Sequence, residues 1–163
     1  MKIFETFNRP FANSKQVGYL RWGVFVFYLI NAIQLVFILD ISWGEFKMSP
    51  ALGQTGFSSQ LLNMLDNGGV GLALCLIVVQ LLCLAGAIFL KYKRLLTFVG
   101  YVAAAGITNS TYLFNSGGHH LMLIVLFFLA LINENDDEQG TWTNALNRGA
   151  FLAIQIQICA VYL

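Results

Sequence analysis

Charged residues are scarce in this chain. Only 10% of its 163 residues are Asp, Glu, Lys or Arg, whereas a soluble domain of this size carries about 25%. Because 58% of the residues are hydrophobic, the composition excludes a separate soluble catalytic domain and favours one membrane domain. The net charge of +1 gives no reason to expect a nucleic-acid partner or a polyanionic substrate.

Residues that bind metal ions are also few, with three cysteines and two histidines. Cys75 and Cys83 lie about 12 Å apart along a helix, too far to share one ion. His119 and His120 are neighbours in sequence, and adjacent helical positions do not face each other. The sequence therefore predicts no metal site, and the cysteines, including Cys159, are expected to be buried free thiols.

Long apolar runs dominate the sequence instead. A helix needs about 20 apolar residues to cross a hydrocarbon core of about 30 Å. The first three blocks reach that length, the fourth is shorter, and the fifth has no polar cap after it. The sequence predicts an all-α, polytopic integral membrane bundle with four spans and a fifth, incomplete span, formed by residues 20–39, 70–90, 95–114, 121–132 and 149–163.

Basic residues are concentrated on one side of the predicted membrane. With four crossings, eight of the nine basic residues share the side of the N-terminus, and only Lys47 lies opposite. Because positive residues in short loops stay in the cytoplasm, the N-terminus is predicted to be cytoplasmic. The chain is then one domain over residues 1–163, with an interfacial segment at 1–19, an outer loop at 41–69 and an acidic inner loop at 133–148.

Polar residues inside the spans are the candidates for a site, because polar groups at membrane depth are costly. Arg21 and Asp40 are expected at the ends of the first span, so no charged residue is expected at mid-span. The short fourth block needs the preceding Asn115–His120 turn to cross. The candidate pocket comprises Tyr28, Asn31, Gln34, Gln80, Asn109, Asn115, His119 and His120.

Two interpretations of these polar residues stay open. Neutral amides and hydroxyls commonly join membrane helices through hydrogen bonds. Alternatively, the same groups form a pocket for a lipid head group or a quinone. The third span is narrow because it contains five small residues: Gly100, Ala103, Ala104, Ala105 and Gly106. Small residues allow close helix contact, so this span is expected at the centre of the bundle.

The order of several short motifs resembles a known family. Arg9-Pro10-Phe11 comes before Tyr19-Leu20-Arg21-Trp22-Gly23, and Asn115-Ser116-Gly117-Gly118 comes before an apolar run that an acidic loop separates from the last block. This order resembles the membrane domain that vitamin K-dependent gamma-carboxylases share with the bacterial HTTM (horizontally transferred transmembrane) proteins. The resemblance covers nearly the whole chain and implies an all-helical domain in a bacterial inner membrane.

The resemblance does not carry over a catalytic residue. In the carboxylases it implies a catalytic lysine a little beyond the tyrosine that matches Tyr162, and this chain stops at Leu163. The chain is therefore expected to be a truncated relative, and whether it is an enzyme stays open. The small, quinone-linked DoxX-like proteins have a similar four-helix plan and are the second family.

Three functions follow as expectations. The chain is part of a carboxylase-like membrane enzyme with a quinone-like or isoprenoid cofactor, a non-catalytic accessory subunit of a larger membrane complex, or a DoxX-like quinone-linked protein. The expected partners are the lipid bilayer and membrane-protein subunits. The sequence does not identify the cofactor, and it admits a quinone or another lipid.

Overall fold

The apolar blocks form helices in the computed structural model. The structure describes residues 14–39, 57–110, 117–132 and 141–162. These ranges contain helices and no strand, which confirms the all-α class. The helices are α1 (Ser14–Leu39), α2 (Phe57–Phe89), α3 (Lys93–Ser110), α4 (Gly117–Leu131) and α5 (Thr141–Tyr162).

Two predicted loops are shorter than expected. Residues 57–69 of the predicted outer loop are the first turns of α2 rather than a separate segment. Residues 141–148 of the predicted acidic inner loop belong to α5. Extending an existing helix is far easier than nucleating one, so Gly68 and Gly69, at about 1 kcal/mol each, do not end α2. The predicted interfacial segment 1–19 is helical from Ser14 onward, and its first 13 residues lie outside the described residues.

Two of the described helices are long and apolar enough to cross a membrane. They are Lys15–Phe37 and Val70–Phe89, and only 28% of the most apolar window of each is buried inside the structure. Helix α4 is apolar but shorter, over Gly118–Leu131. Helix α5 has 22 residues, so it is longer than the predicted fifth block. It is less apolar than α1, α2 and α4. The prediction of four crossings is thus supported in length and composition for two helices.

Helices α1 to α4 run in alternating directions. The starts of α1 and α3 therefore meet the ends of α2 and α4. The rings of Trp22, early in α1, and Phe89, the last residue of α2, have centroids 5.8 Å apart. Arg21 of α1 contacts Thr97, in the first turns of α3, and Leu129, near the end of α4. The basic residues described on α1, on α3 and in the turn between α2 and α3 belong to this end, which we call the basic end: Lys15, Arg21, Lys91, Lys93 and Arg94.

The buried apolar side chains form two cores. The larger, first core lies toward the basic end and includes Val24, Leu84, Ala104 and Leu129. The second core lies toward the opposite end and consists of Ala32, Leu35, Ala73, Ile77 and Ile107. Along α1 and α3 the change from one core to the other falls within about one helical turn, and along α2 it takes about two turns, from Ile77 to Leu84. This junction level is where the candidate site lies.

Helix α3 is at the centre of the bundle, as its small residues predicted. Its most extensive contacts are with α2 and α4, and Ala103 and Ala104 are buried. A three-residue turn joins α2 to α3, and the Leu90 amide donates to the Gly86 carbonyl at 2.8 Å. The two helices approach so closely that a Cβ atom at Gly100 would lie 3.0 Å from Leu84 Cδ2.

This close approach predicts a stability difference between two glycines. We expect Gly100→Ala to lower the free energy of unfolding by about 1–3 kcal/mol, because the added methyl group overpacks a buried contact. Gly23, in α1, has nothing within 4 Å of its Cβ position. Gly23→Ala should therefore raise stability by about 0.5–1 kcal/mol through helix propensity. Thermal unfolding in mild detergent measures both, and an equal response of the two variants would contradict the packing described here.

Candidate functional site

Seven polar side chains are buried among the residues that the structure describes. Their burial is the starting point for the site, because a buried polar group costs free energy unless it is hydrogen-bonded. Some of the seven join helices, and some have a polar atom without a partner. They are Arg21, Tyr28, Gln80, Thr97, Thr108, Asn144 and Asn147.

Arg21 is the charged member of this set, and it joins three helices. Its side chain is only 5% exposed. Its Nη1 donates to Thr97 Oγ1, and its Nη2 lies 3.5 Å from the Leu129 carbonyl oxygen. Thr97 Oγ1 in turn donates to the Lys93 carbonyl at 2.6 Å. The carbonyl groups in the last turn of a helix lack partners within the helix, so the guanidinium also caps α4.

The position of Arg21 corrects the sequence prediction. Arg21 was expected at the end of the first span, but α1 begins at Ser14, and the guanidinium is buried inside the bundle. The packed face of α1 contains Val17, Arg21, Val24 and Tyr28, with spacings of four, three and four residues. This helical spacing is the signal that could have placed Arg21 inside.

A second polar contact joins α1 to α4, between Asn31 and His119. It lies nearer the junction level than the contact of Arg21 with Leu129 does. The side-chain amide of Asn31 is hydrogen-bonded to His119 Nε2. The His119 ring also lies edge-on to Phe27, with centroids 5.5 Å apart. This pair supports the prediction that polar residues join helices, and both histidines lie inside α4, which begins at Gly117.

Tyr28 and Gln80 remain unsatisfied. The Tyr28 hydroxyl and the Gln80 Nε2 are buried without a hydrogen-bond partner, and their side chains are 4% and 3% exposed. Gln80 lies between Ile77 of the second core and Leu84 of the first core. Tyr28 belongs to the first core, one turn before Ala32 of the second core. Both groups therefore lie at the junction level, where they can donate hydrogen bonds to an acceptor within the bundle.

The structure divides the predicted pocket. It brings Asn31 and His119 together and buries Tyr28 and Gln80, whereas Gln34 and His120 are exposed on the outside of their helices. Asn109 is in the last turn of α3, but its side chain, like all of Asn115, lies outside the described residues. Four of the eight predicted residues thus have buried or helix-joining side chains. We group them as the candidate site, which we call the junction site: Tyr28, Asn31, Gln80 and His119.

Asn144 and Asn147 were missed by the sequence analysis. Both are buried on α5, and Asn144 Oδ1 has no hydrogen-bond partner. They share the packed face of Ala150 and Ile154, at spacings that a helical reading of 141–148 would have found. The sequence analysis assigned this stretch to a loop, and so the pattern was not considered.

The cysteines and histidines make no metal centre in the described part of the chain. No group of three or more His, Cys, Asp or Glu side chains is close enough there to hold an ion. The three cysteines are free thiols, but Cys75 and Cys159 are exposed rather than buried as expected. The hydrophobicity of the sequence places the cysteines within apolar blocks, but it does not indicate which face of each helix packs inward.

The chain matches no family model, no curated protein and no solved structure. The resemblance to HTTM proteins and gamma-carboxylases, and the one to DoxX-like proteins, therefore stay predictions.

The Arg21 contact predicts a specific effect of substitutions at Thr97. Thr97→Val keeps the size of the side chain but removes an acceptor from a buried guanidinium. We expect a loss of about 1.5–3 kcal/mol in the free energy of unfolding, the range for hydrogen bonds to charged groups. Thr97→Ser retains the hydroxyl and should lose clearly less. Unfolding in mild detergent compares the two, and equal losses would show that the methyl group, not the hydrogen bond, matters at this position.

Proposed function

We propose that this chain is an integral membrane protein that binds the carbonyl-bearing head of a lipid-soluble molecule of the quinone type at the junction site. Membrane insertion is supported by the two long apolar helices and by their exposure. The core helix of a soluble protein would be mostly buried, whereas 28% of each apolar window is buried here. Large apolar side chains such as Ile33, Phe37, Val78 and Leu82 cover the outside, where they would contact lipid.

The proposed orientation puts the basic end and the N-terminus in the cytoplasm of a bacterial inner membrane. Five of the six described basic residues are gathered at one end of the bundle, which is the distribution that keeps short loops cytoplasmic. Four crossings by α1 to α4 remain the proposed topology, with α5 as a further membrane helix. At 15 residues, α4 rises by about 22 Å and would depend on its neighbours to cross.

The observation that carries the ligand proposal is the pair of unsatisfied groups, Tyr28 Oη and Gln80 Nε2. A buried donor without an acceptor costs about 1–3 kcal/mol, and neither group can reach water easily from an apolar interior. A quinone has two carbonyl oxygens, which accept hydrogen bonds, on an apolar ring and tail. The Asn31–His119 pair lies near the same level, with Phe27 beside it, and offers a polar and aromatic wall.

The family resemblance is consistent with this ligand class. A carboxylase-like or DoxX-like membrane domain is expected to handle a quinone-like or isoprenoid molecule, and we propose the HTTM and gamma-carboxylase group as the family of this chain. The proposal is for the binding of this ligand class and assigns no catalytic residue.

An accessory-subunit role is the second proposal, and one observation supports it. Helix α5 packs mainly against α4 and leaves Leu146, Leu152 and Ile156 exposed, which gives a partner helix an apolar surface. The thin face of α3, the other expected partner surface, is covered by α2 and α4 within this chain.

Two glutamines provide a matched test of quinone binding. We expect Gln80→Leu to weaken the binding of a radiolabelled short-chain quinone to the purified protein by about tenfold, which corresponds to the loss of one hydrogen bond of about 1.4 kcal/mol. Tyr28→Phe should act similarly. Gln34→Leu makes the same chemical change on the exposed face of α1 and should leave affinity unchanged. Unaltered affinity in Gln80→Leu and Tyr28→Phe would refute the ligand proposal.

The same variant also separates a ligand site from a helix contact. If Gln80 donates to a ligand, its amide is an unsatisfied donor whenever the ligand is absent. Gln80→Leu removes that donor and should stabilise the ligand-free protein by about 1–3 kcal/mol. If Gln80 instead joins helices, the substitution should destabilise the protein. Unfolding of the ligand-free protein in mild detergent gives the sign, and destabilisation would contradict the site as described.

A further inference from the structure

One exposed face of α1 changes in chemistry along its length. Lys15, Tyr19, Trp22 and Val26 follow one another at spacings of four, three and four residues, so they form one stripe on the helix. All four are exposed. From the basic end inward, the stripe passes from a positive charge through two aromatic rings to aliphatic carbon.

Helix α2 has a matching stripe beside it. Phe89 and Leu82 are seven residues apart, on one face of the helix, and both are more than two-thirds exposed. Lys91 follows Phe89 in the turn and is exposed. The edge-on contact of Trp22 with Phe89 sets the two stripes side by side at the same depth. We call them together the α1–α2 face: Lys15, Tyr19, Trp22, Val26, Leu82, Phe89 and Lys91.

We propose that the α1–α2 face binds an anionic glycerophospholipid. Lys15 and Lys91 hold the phosphate, Tyr19 and Trp22 lie at the level of the glycerol esters, and an acyl chain follows Val26 and Leu82. Aromatic rings prefer this interfacial level, and basic groups at the cytoplasmic side of membrane helices bind anionic head groups. The proposal depends on the membrane insertion proposed above but not on the quinone ligand.

Charge makes the lipid anionic rather than zwitterionic. The choline or ethanolamine of a zwitterionic lipid needs a carboxylate or an acceptor beside the phosphate site. Among the described residues Asp66 is the one carboxylate, and it lies in the first half of α2, toward the opposite end of the bundle. The α1–α2 face therefore presents positive charge alone to a head group.

Trp22 allows a direct test in reconstituted vesicles. Trp43→Phe with Trp142→Phe leaves Trp22 as the single tryptophan, and brominated lipid chains quench a ring that they touch. Small amounts of brominated phosphatidylglycerol or brominated phosphatidylcholine are added to phosphatidylcholine vesicles. We expect phosphatidylglycerol to quench half of the Trp22 fluorescence at a mole fraction roughly thirtyfold lower, the factor that corresponds to about 1 kcal/mol for each of the two lysines near anionic lipid.

Three variants in this background identify the residues responsible. Lys15→Gln with Lys91→Gln should abolish the preference for phosphatidylglycerol, and Lys15→Arg with Lys91→Arg should keep it. Arg94→Gln with Arg148→Gln removes the same amount of charge elsewhere, from α3 and α5, and should also keep it.

Each other outcome overturns a definite part of the account. Equal quenching by the two lipids, or a preference that survives Lys15→Gln with Lys91→Gln, would refute the lipid site. Quenching by neither lipid would refute membrane insertion itself, and with it this proposal. A preference lost equally in the Arg94→Gln, Arg148→Gln variant would reduce the site to general surface charge and also contradict it.

Discussion

The guanidinium of Arg21 is the contact on which the arrangement of the helices depends most. It lies inside an apolar bundle, where a positive charge persists only if its N–H groups find acceptors. The acceptors come from two other helices, the Thr97 hydroxyl of α3 and the Leu129 carbonyl of α4. These contacts bring the start of α1, the start of α3 and the end of α4 to one level. The basic end and the first core are organised around that level.

The same requirement for partners explains how the buried polar residues divide. Buried Arg21 and Thr97 are hydrogen-bonded across helices, and so are the half-buried Asn31 and His119, so these two pairs stabilise the bundle. Tyr28 and Gln80 are equally buried, yet each keeps an unsatisfied atom at the point where the two cores meet. In an interior without water such atoms are expected only where something else supplies the partner. Asn144 Oδ1 is unsatisfied as well, but it is an acceptor and cannot bind a carbonyl oxygen. Tyr28 and Gln80 are donors, which is why they carry the functional proposal.

The sequence predicted the positions of the helices better than it predicted which face of each helix packs inward. The length of the apolar blocks predicted α1 to α4. The small residues of α3 predicted a helix in close contact with its neighbours, because helices that approach closely need small side chains at the contact. Helices α1 and α2 are apolar almost all round, and lipid is as apolar as a protein core, so hydrophobicity does not tell which side packs inward. Cys75 was expected inside for that reason and is exposed, whereas Arg21 was expected at the edge and is buried. The unsatisfied state of Gln80 could not be predicted at all, since it depends on what α1 and α3 place opposite.

The central claim is that the chain crosses a membrane with its basic end in the cytoplasm, and cysteine accessibility tests it most directly. In a background with Cys75, Cys83 and Cys159 replaced by alanine, Tyr92→Cys and Trp142→Cys each place one thiol at an exposed position. Tyr92 lies in the turn before α3, and Trp142 lies at the start of α5. Both thiols should react with a membrane-impermeant maleimide in inverted inner-membrane vesicles and stay unlabelled in intact spheroplasts. Labelling in spheroplasts, or labelling of the two positions from opposite sides, would contradict the account.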